Sequence, residues 1–152
     1  MEERWMRLAL EKAREALREG EVPVGCVIVR GGEMLCAERN RREETQDPTA
    51  HAEILALRAA AGKIKSWRLN GCEMYVTLEP CPMCAGAISQ ARLSGLFYGA
   101  SDPAQGCAGS IYRIPEDPAF GHFCRSEGGV LEAECRALLE AFFQGKRPPK
   151  FT

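Results

Sequence analysis

Residues 72–84 constrain the fold more than any other segment of the chain. Cys72, Met74, Val76 and Leu78 alternate with Glu73, Tyr75 and Thr77, the period of a strand, and the run stops at Glu79-Pro80. A helix opens at Cys81-Pro82-Met83-Cys84, where Pro82 suits a first turn because the N–H it lacks has no intrahelical partner there. A strand feeding straight into a helix is half of an α/β unit and calls for further strands and helices on either side.

The neighbouring segments supply them. From Glu2 to Glu19, Trp5, Leu8, Ala9, Ala13, Ala16 and Leu17 recur at helical spacing, and Gly20 stands where a helix stops. Val22 to Val29 is rich in β-branched residues and ends at Gly31-Gly32; with Glu33 to Ala37 it predicts an antiparallel hairpin on a glycine turn. The polar stretch Glu38 to Asp47 reads as a loop. Asp47-Pro48-Thr49 then offers capping residues for a helix that begins close to His51 and ends at Gly62, with Lys63, Lys65 and Arg68 in the loop beyond. Leu96-Phe97-Tyr98 predicts a short fourth strand, Asp102 to Gly109 a glycine-punctuated loop, and Val130 to Phe143 a last helix with Leu131, Cys135, Leu138, Leu139 and Phe142 on one face. This order implies a three-layer α/β/α sandwich in which the first hairpin is antiparallel and the later strands are parallel through helical crossovers. One domain is expected over residues 1–145, with a basic tail over 146–152.

Composition excludes several classes. With 152 residues, 45% hydrophobic and 27% charged, the chain has the make-up of one soluble globular domain and not of a disordered or fibrous protein. No apolar run approaches the roughly 20 residues of a membrane span. Met1-Glu2-Glu3-Arg4-Trp5 carries acids where a secretory signal carries bases, so a cytoplasmic protein is expected. Twenty Lys and Arg against twenty-one Asp and Glu leave a net charge of -1, so any contact with nucleic acid must be local. Of eight cysteines only Cys81 and Cys84 are clustered; the other six read as small buried hydrophobes.

The chemistry lies where two helices begin. His51 and Glu53 open one, Cys81 and Cys84 the other, and both starts are placed at the sheet edge. One imidazole and two thiolates meet the ligand count of a catalytic zinc, which takes three protein ligands and keeps a fourth position for water. The Cys-x-x-Cys spacing sets both sulfurs on one side of a first helical turn, where the helix dipole favours thiolate. Glu53 would lie about 200° around an ideal helix from His51, so it is a neighbour and not a fellow ligand. With His51 in an irregular helix entry, Glu53 overhangs the water that zinc brings to a pKa of about 7 and carries its proton to a leaving group. Two other readings of the cysteines stand beside this one: a redox pair, and a structural zinc closed by a fourth ligand such as Cys72, which the strand pattern places at the far end from Cys81.

His51-Ala52-Glu53 with Glu79-Pro80-Cys81-Pro82-Met83-Cys84 matches the H-x-E…P-C-x-x-C signature of the zinc-dependent nucleobase deaminases. Within that superfamily the chain resembles the bacterial tRNA adenosine deaminases over nearly its whole length. The resemblance runs through Glu21 to Gly25, Asn40, Asp47 to Ile54, Tyr75 to Pro80, Cys84 to Ala87, Gly99 to Asp102, Gly106 to Ser110, and the tail from Gly129 to Phe143. It implies a cytidine-deaminase-like sandwich with a mixed central sheet of about five strands, one Zn2+ per subunit on His51, Cys81 and Cys84, and Glu53 as the catalytic proton carrier. It also implies conversion of adenosine to inosine at the wobble position, Asn40, Ala52, Asp102 and His122 as substrate-binding residues, and a homodimer that holds a tRNA anticodon loop. Phosphate contacts are sought among Arg39, Arg41 and Arg42, Lys63, Lys65 and Arg68, and Lys146, Arg147 and Lys150. The chain departs from the family in having Pro103-Ala104-Gln105 where a lysine follows Asp102, and Gly121 where Asn precedes His122. Two alternatives accompany the implied function: a deaminase of free bases or nucleosides such as guanine, cytosine or cytidine, and a non-catalytic zinc scaffold, which would have no use for Glu53.

Overall fold

The computed structural model describes residues 2–145. The elements run α1 (Glu2–Arg18), β1 (Gly25–Arg30), β2 (Glu33–Arg39), α2 (Arg42–Thr45), α3 (Ala52–Ile64), β3 (Cys72–Leu78), α4 (Pro82–Gln90), β4 (Gly95–Ala100), β5 (Arg125–Glu127) and α5 (Glu132–Gly145), with two single 3-10 turns between β4 and β5. The five strands form one sheet in the order β2-β1-β3-β4-β5. β1 is antiparallel to both neighbours, and β3, β4 and β5 are parallel.

Helices cover both faces of this sheet. On one face α3 and α4 bury Ala52, Ala56, Leu57 and Ile88 against Ile28, Met74, Val76 and Leu96. On the other, α1 and α5 bury Met6, Ala9, Leu10, Cys135 and Leu139 against Val27, Val29, Tyr75 and Phe97. This is the expected α/β/α sandwich. The buried stripe of α1 is rotated from the predicted one toward Met6 and Leu10, leaving Leu8 and Leu17 half-buried. β3 alternates in sequence, yet Tyr75 and Thr77 are as buried as Met74 and Val76, because its second face is covered too. Tyr75 stacks on Phe97 at 4.8 Å between centroids, and Thr77 Oγ1 accepts the Gly25 N–H at 3.1 Å.

The hairpin turns on Gly31 and Gly32 at φ +58° and +79°, the conformation a two-residue turn of this hand requires. α1 ends as predicted at Gly20, whose φ of +76° lets its N–H reach the Leu17 carbonyl while the Glu21 N–H reaches that of Ala16.

Four boundaries differ from the sequence reading. The polar stretch 38–47 contains the end of β2 and the four-residue α2. α3 runs past Gly62 to Ile64, which packs on the core, and closes on Lys65 at φ +57°. β5 has three polar residues and no pattern to betray it, and the β4-to-β5 crossover is a loop with 3-10 turns where a helix was expected. α5 starts two residues late because the Val130 N–H bonds the Tyr98 carbonyl and Leu131 takes a φ of +51°.

Candidate metal centre and its pocket

Each end of the centre is built by a local turn. Asp47 Oδ1 accepts the backbone N–H and the hydroxyl of Thr49, both at 2.8 Å, and the His51 N–H bonds the Thr49 carbonyl at 2.8 Å. This turn leaves His51 extended at φ -72° and ψ 152° as the residue before α3, so the ring stands outside the helix and Glu53 inside it. Cys81 caps α4 in the same way, at φ -74° and ψ 175°, with Pro82 next and Cys84 in the first turn. β3 aims this second start at the first, since its carboxyl end leads through Glu79-Pro80 into Cys81.

Among the described residues His51, Cys81 and Cys84 form a cluster whose ligand atoms lie within 4.8 Å of one another. His51 Nδ1 is 3.6 Å from each sulfur. A tetrahedral ion with Zn–S of about 2.3 Å and Zn–N of about 2.0–2.1 Å separates nitrogen from sulfur by about 3.6 Å, so the donor set and its spacing fit. Cys72 lies at the opposite end of β3 and is outside the cluster, which leaves three protein donors and one position for a small ligand. The thiols polarise one another. A hydrogen bond from Cys84, with help from His51, draws Cys81 down to about 4, and the same hydrogen bond together with burial drives Cys84 up. The bond to Cys81 also raises His51. A cation held by the two sulfurs would take the place of the proton between them.

Glu53 is buried, and burial lifts its carboxyl to about 7, a value at which it both takes and gives a proton. It opens with His51 and Cys81 onto a cavity whose walls also include Asn40, Ala52, Asp102 and Phe143, while Cys84 is fully buried and forms no part of the wall. An imidazole, a thiol and a poised carboxylate in one cavity wall, with a second sulfur buried in the same cluster, are equipment for hydrolysis.

The comparisons with known proteins agree with this equipment. Residues 1–114 match the MafB19-like deaminase family. The tRNA-specific adenosine deaminase of Bacillus subtilis (strain 168) is 42% identical over 149 residues, 98% of this chain and 92% of that protein. The one from Haemophilus influenzae is 45% identical over 150 residues, covering 98% and 87%. The chain belongs to the tRNA-specific adenosine deaminase family. A structure solved in studies of A-to-I editing by tRNA:A34 deaminases superposes with a TM-score of 0.86 at 43% identity, covering 90% of this chain and 99% of that one. A guanine deaminase of Nitrosomonas europaea, at 24% identity and a TM-score of 0.80, shares the fold.

In this family member three of the four residues assigned to substrate line the cavity: Asn40, Ala52 and Asp102. The Asn40 amide donates to the Val22 carbonyl at 3.3 Å and its oxygen accepts the Arg42 N–H at 3.1 Å. Asp102 Oδ1 accepts the N–H groups of Ala104 and Gln105 at 3.1 and 3.2 Å. His122 is not in the cavity wall; its Nε2 bonds the Leu93 carbonyl at 2.7 Å. Of the basic residues, Arg42 reaches the cavity, whereas Arg39 is buried on the Asn40 carbonyl and Glu44, and Arg68 stacks on Trp67. Lys146, Arg147 and Lys150 lie outside the described residues. Phe143 is exposed on the cavity rim and Phe142 is half-buried beside it.

Sequence reasoning assigned nothing to Glu79. Its carboxylate is buried and accepts the N–H groups of Asp102, Ala108 and Ser110 at 2.9, 3.1 and 2.8 Å, together with the Ser110 hydroxyl. Burial opposes the charge, but these donors outweigh it and hold the carboxyl below its usual range. A Cβ on Gly106 would lie 2.3 Å from this carboxyl carbon, so the loop wraps it closely. Glu79 thereby fastens the wall that carries Asp102. The available signal was an acid at the end of a strand in which every residue is wholly or partly buried.

Proposed function

We propose that this chain hydrolyses the 6-amino group of adenosine to give inosine at the wobble position of tRNA anticodons, with one Zn2+ held by His51, Cys81 and Cys84. When bound, zinc supplies the Lewis acid that makes water a nucleophile at neutral pH. Glu53 takes a proton from the attacking water, delivers it to ring N1, and passes a second to the departing amine. Asn40 and the Ala52 amide hold the base, Asp102 lies beside the ribose, and His122 meets the RNA farther out. The observation that supports this reading is the His/Cys/Cys triangle, two of whose members, His51 and Cys81, open beside buried Glu53 onto one cavity with Asn40 and Asp102 in its wall. A loop substrate suits it, since extruding a base from a single strand costs less than from a duplex.

A second copy of the chain covers the face formed by α3 and α4. There Ile54, Leu57, Leu69 and Ala87 line an open apolar groove of about 430 Å3 beside Trp67, which is 56% exposed. Residues 1–145 act as one domain in the cytosol, where the RNA substrate resides; no helix of the described residues is long and apolar enough to cross a membrane.

The test is incubation of the zinc-loaded protein with an adenosine-wobble anticodon stem-loop, read by sequencing, with free adenine, guanine, cytosine and cytidine in parallel. Inosine confined to the wobble position is the expected result. Ammonia from a free base with no inosine in the RNA would overturn the substrate and keep the hydrolytic site.

A further inference from the structure

Glu21 is a carboxylate at 1% exposure, and among the described residues no salt bridge to a basic side chain balances it. Burying such a charge is costly unless hydrogen bonds satisfy it. Both oxygens are satisfied by one segment: the Glu43 N–H donates to Oε1 at 3.0 Å and the Glu44 N–H to Oε2 at 2.7 Å. These are amides at the start of α2, a four-residue helix with no side-chain cap of its own. A helix that short does not hold itself, so its first turn is held from a distance by Glu21.

Glu21 is itself anchored. Its N–H closes the end of α1 on the Ala16 carbonyl at 2.9 Å, directly after Gly20. The segment it grips leads to the cavity. Asn40 bridges the Val22 carbonyl and the Arg42 N–H, and the Arg41 N–H bonds the Ala50 carbonyl at 3.0 Å, one residue before His51. Arg39, itself buried, braces the segment through the Asn40 carbonyl at 3.0 Å and Glu44 at 2.6 Å. Asn40 and Arg42 are the members of this segment that line the cavity.

We propose that Glu21 is a positioning residue for the substrate: it transmits the fixed end of α1 to α2 and so holds Asn40 and Arg42 where the nucleotide enters. Glu79 does the same for the segment that carries Asp102, so two parts of the cavity wall each hang on their own buried carboxylate. That the held substrate is a tRNA loop rests on the function proposed above; that Glu21 holds the segment does not.

The test compares wild type, Glu21→Gln and Glu44→Gln, all zinc-loaded, in steady-state conversion of the stem-loop, with zinc content and amide hydrogen exchange measured on each. In Glu21→Gln an NH2 faces an N–H donor. The expected result is a KM for the stem-loop about tenfold higher with kcat changed by less than about threefold, the pattern of lost binding and not of lost chemistry. Zinc content stays at the wild-type level, and the Glu43 and Glu44 amides lose protection. Glu44→Gln weakens only the Arg39 brace at its half-exposed end, leaves Glu21 in place, and raises KM in the same direction by less; it carries the test if Glu21→Gln does not fold. A wild-type KM in both variants, or a fall in kcat at constant KM, would overturn the proposal. If wild type leaves the stem-loop unconverted, the functional reading falls, and exchange alone decides: unchanged protection of Glu43 and Glu44 in Glu21→Gln overturns the positioning role.

Discussion

Replacing Glu53 with Gln keeps the size of the side chain and removes its capacity to carry a proton. General acid–base groups contribute about 10²–10⁴-fold, so Glu53→Gln should lower turnover by that factor while zinc content, measured by atomic emission, stays unchanged. Undiminished turnover would refute the role. The proposed ligands His51, Cys81 and Cys84 predict a different signature. Chelation should abolish turnover and also lower the melting temperature, because an ion bound only by the folded state ties the start of α3 to that of α4. Added Zn2+ should restore both, and an unshifted melting temperature would count against a bound ion. At this scale the sequence was most informative. The sequence placed His51 and Glu53 at one helix start and Cys81 and Cys84 at another, and the structure brings His51, Cys81 and Cys84 together there; Asp47, read as a capping residue, instead closes a turn on Thr49 and leaves α3 without a side-chain cap. Glu21 and Glu79 were not legible, because each is explained by donors 22 to 31 residues away in the chain.

At Gly25 α1 presses closely on β1. A Cβ there would lie 1.9 Å from the Ala9 carbonyl oxygen and 2.7 Å from the Ala13 nitrogen, both backbone atoms that cannot step aside. Gly25→Ala should therefore destabilise by about 1–3 kcal/mol or more, read from the urea midpoint; an unchanged midpoint would mean that α1 does not press on the strand. The packing of α5 carries a pH signature. Burial pushes the Cys135 thiol up to about 12 from an ordinary 9.0. The folded chain keeps this proton while the unfolded chain releases it, so the stabilisation is whole below pH 9 and is lost as pH climbs toward 12. Cys124, also pushed up to about 12, acts in the same sense. Cys135→Ala should flatten this alkaline limb in urea titrations at stepped pH, and an equally steep limb would place its origin elsewhere. Helices and strands with an apolar period were predictable; α2 and β5 were not, since both are short and polar and exist through long-range hydrogen bonds.

For the molecule as a whole, the face of α3 and α4 predicts assembly. Trp67→Glu places a charge in the groove proposed for a second copy, and sedimentation velocity should then show a monomer where wild type sediments as a dimer. Equal sedimentation of the two proteins would refute that face. Residue order alone specified the alternation of strands and helices, the glycine turn at Gly31-Gly32, the stop at Gly20 and the two helix starts that carry His51 and the Cys81/Cys84 pair, because periodicity and turn preference act over a few neighbouring residues. Packing across the sheet supplied the rest. It brought helix starts 30 residues apart to 3.6 Å and buried Glu53 enough to hold its proton near neutrality. It also chose which carboxylates would grip the walls of the cavity. Distance and burial depend on which surfaces meet across a core, and no local stretch of sequence contains both partners of that contact.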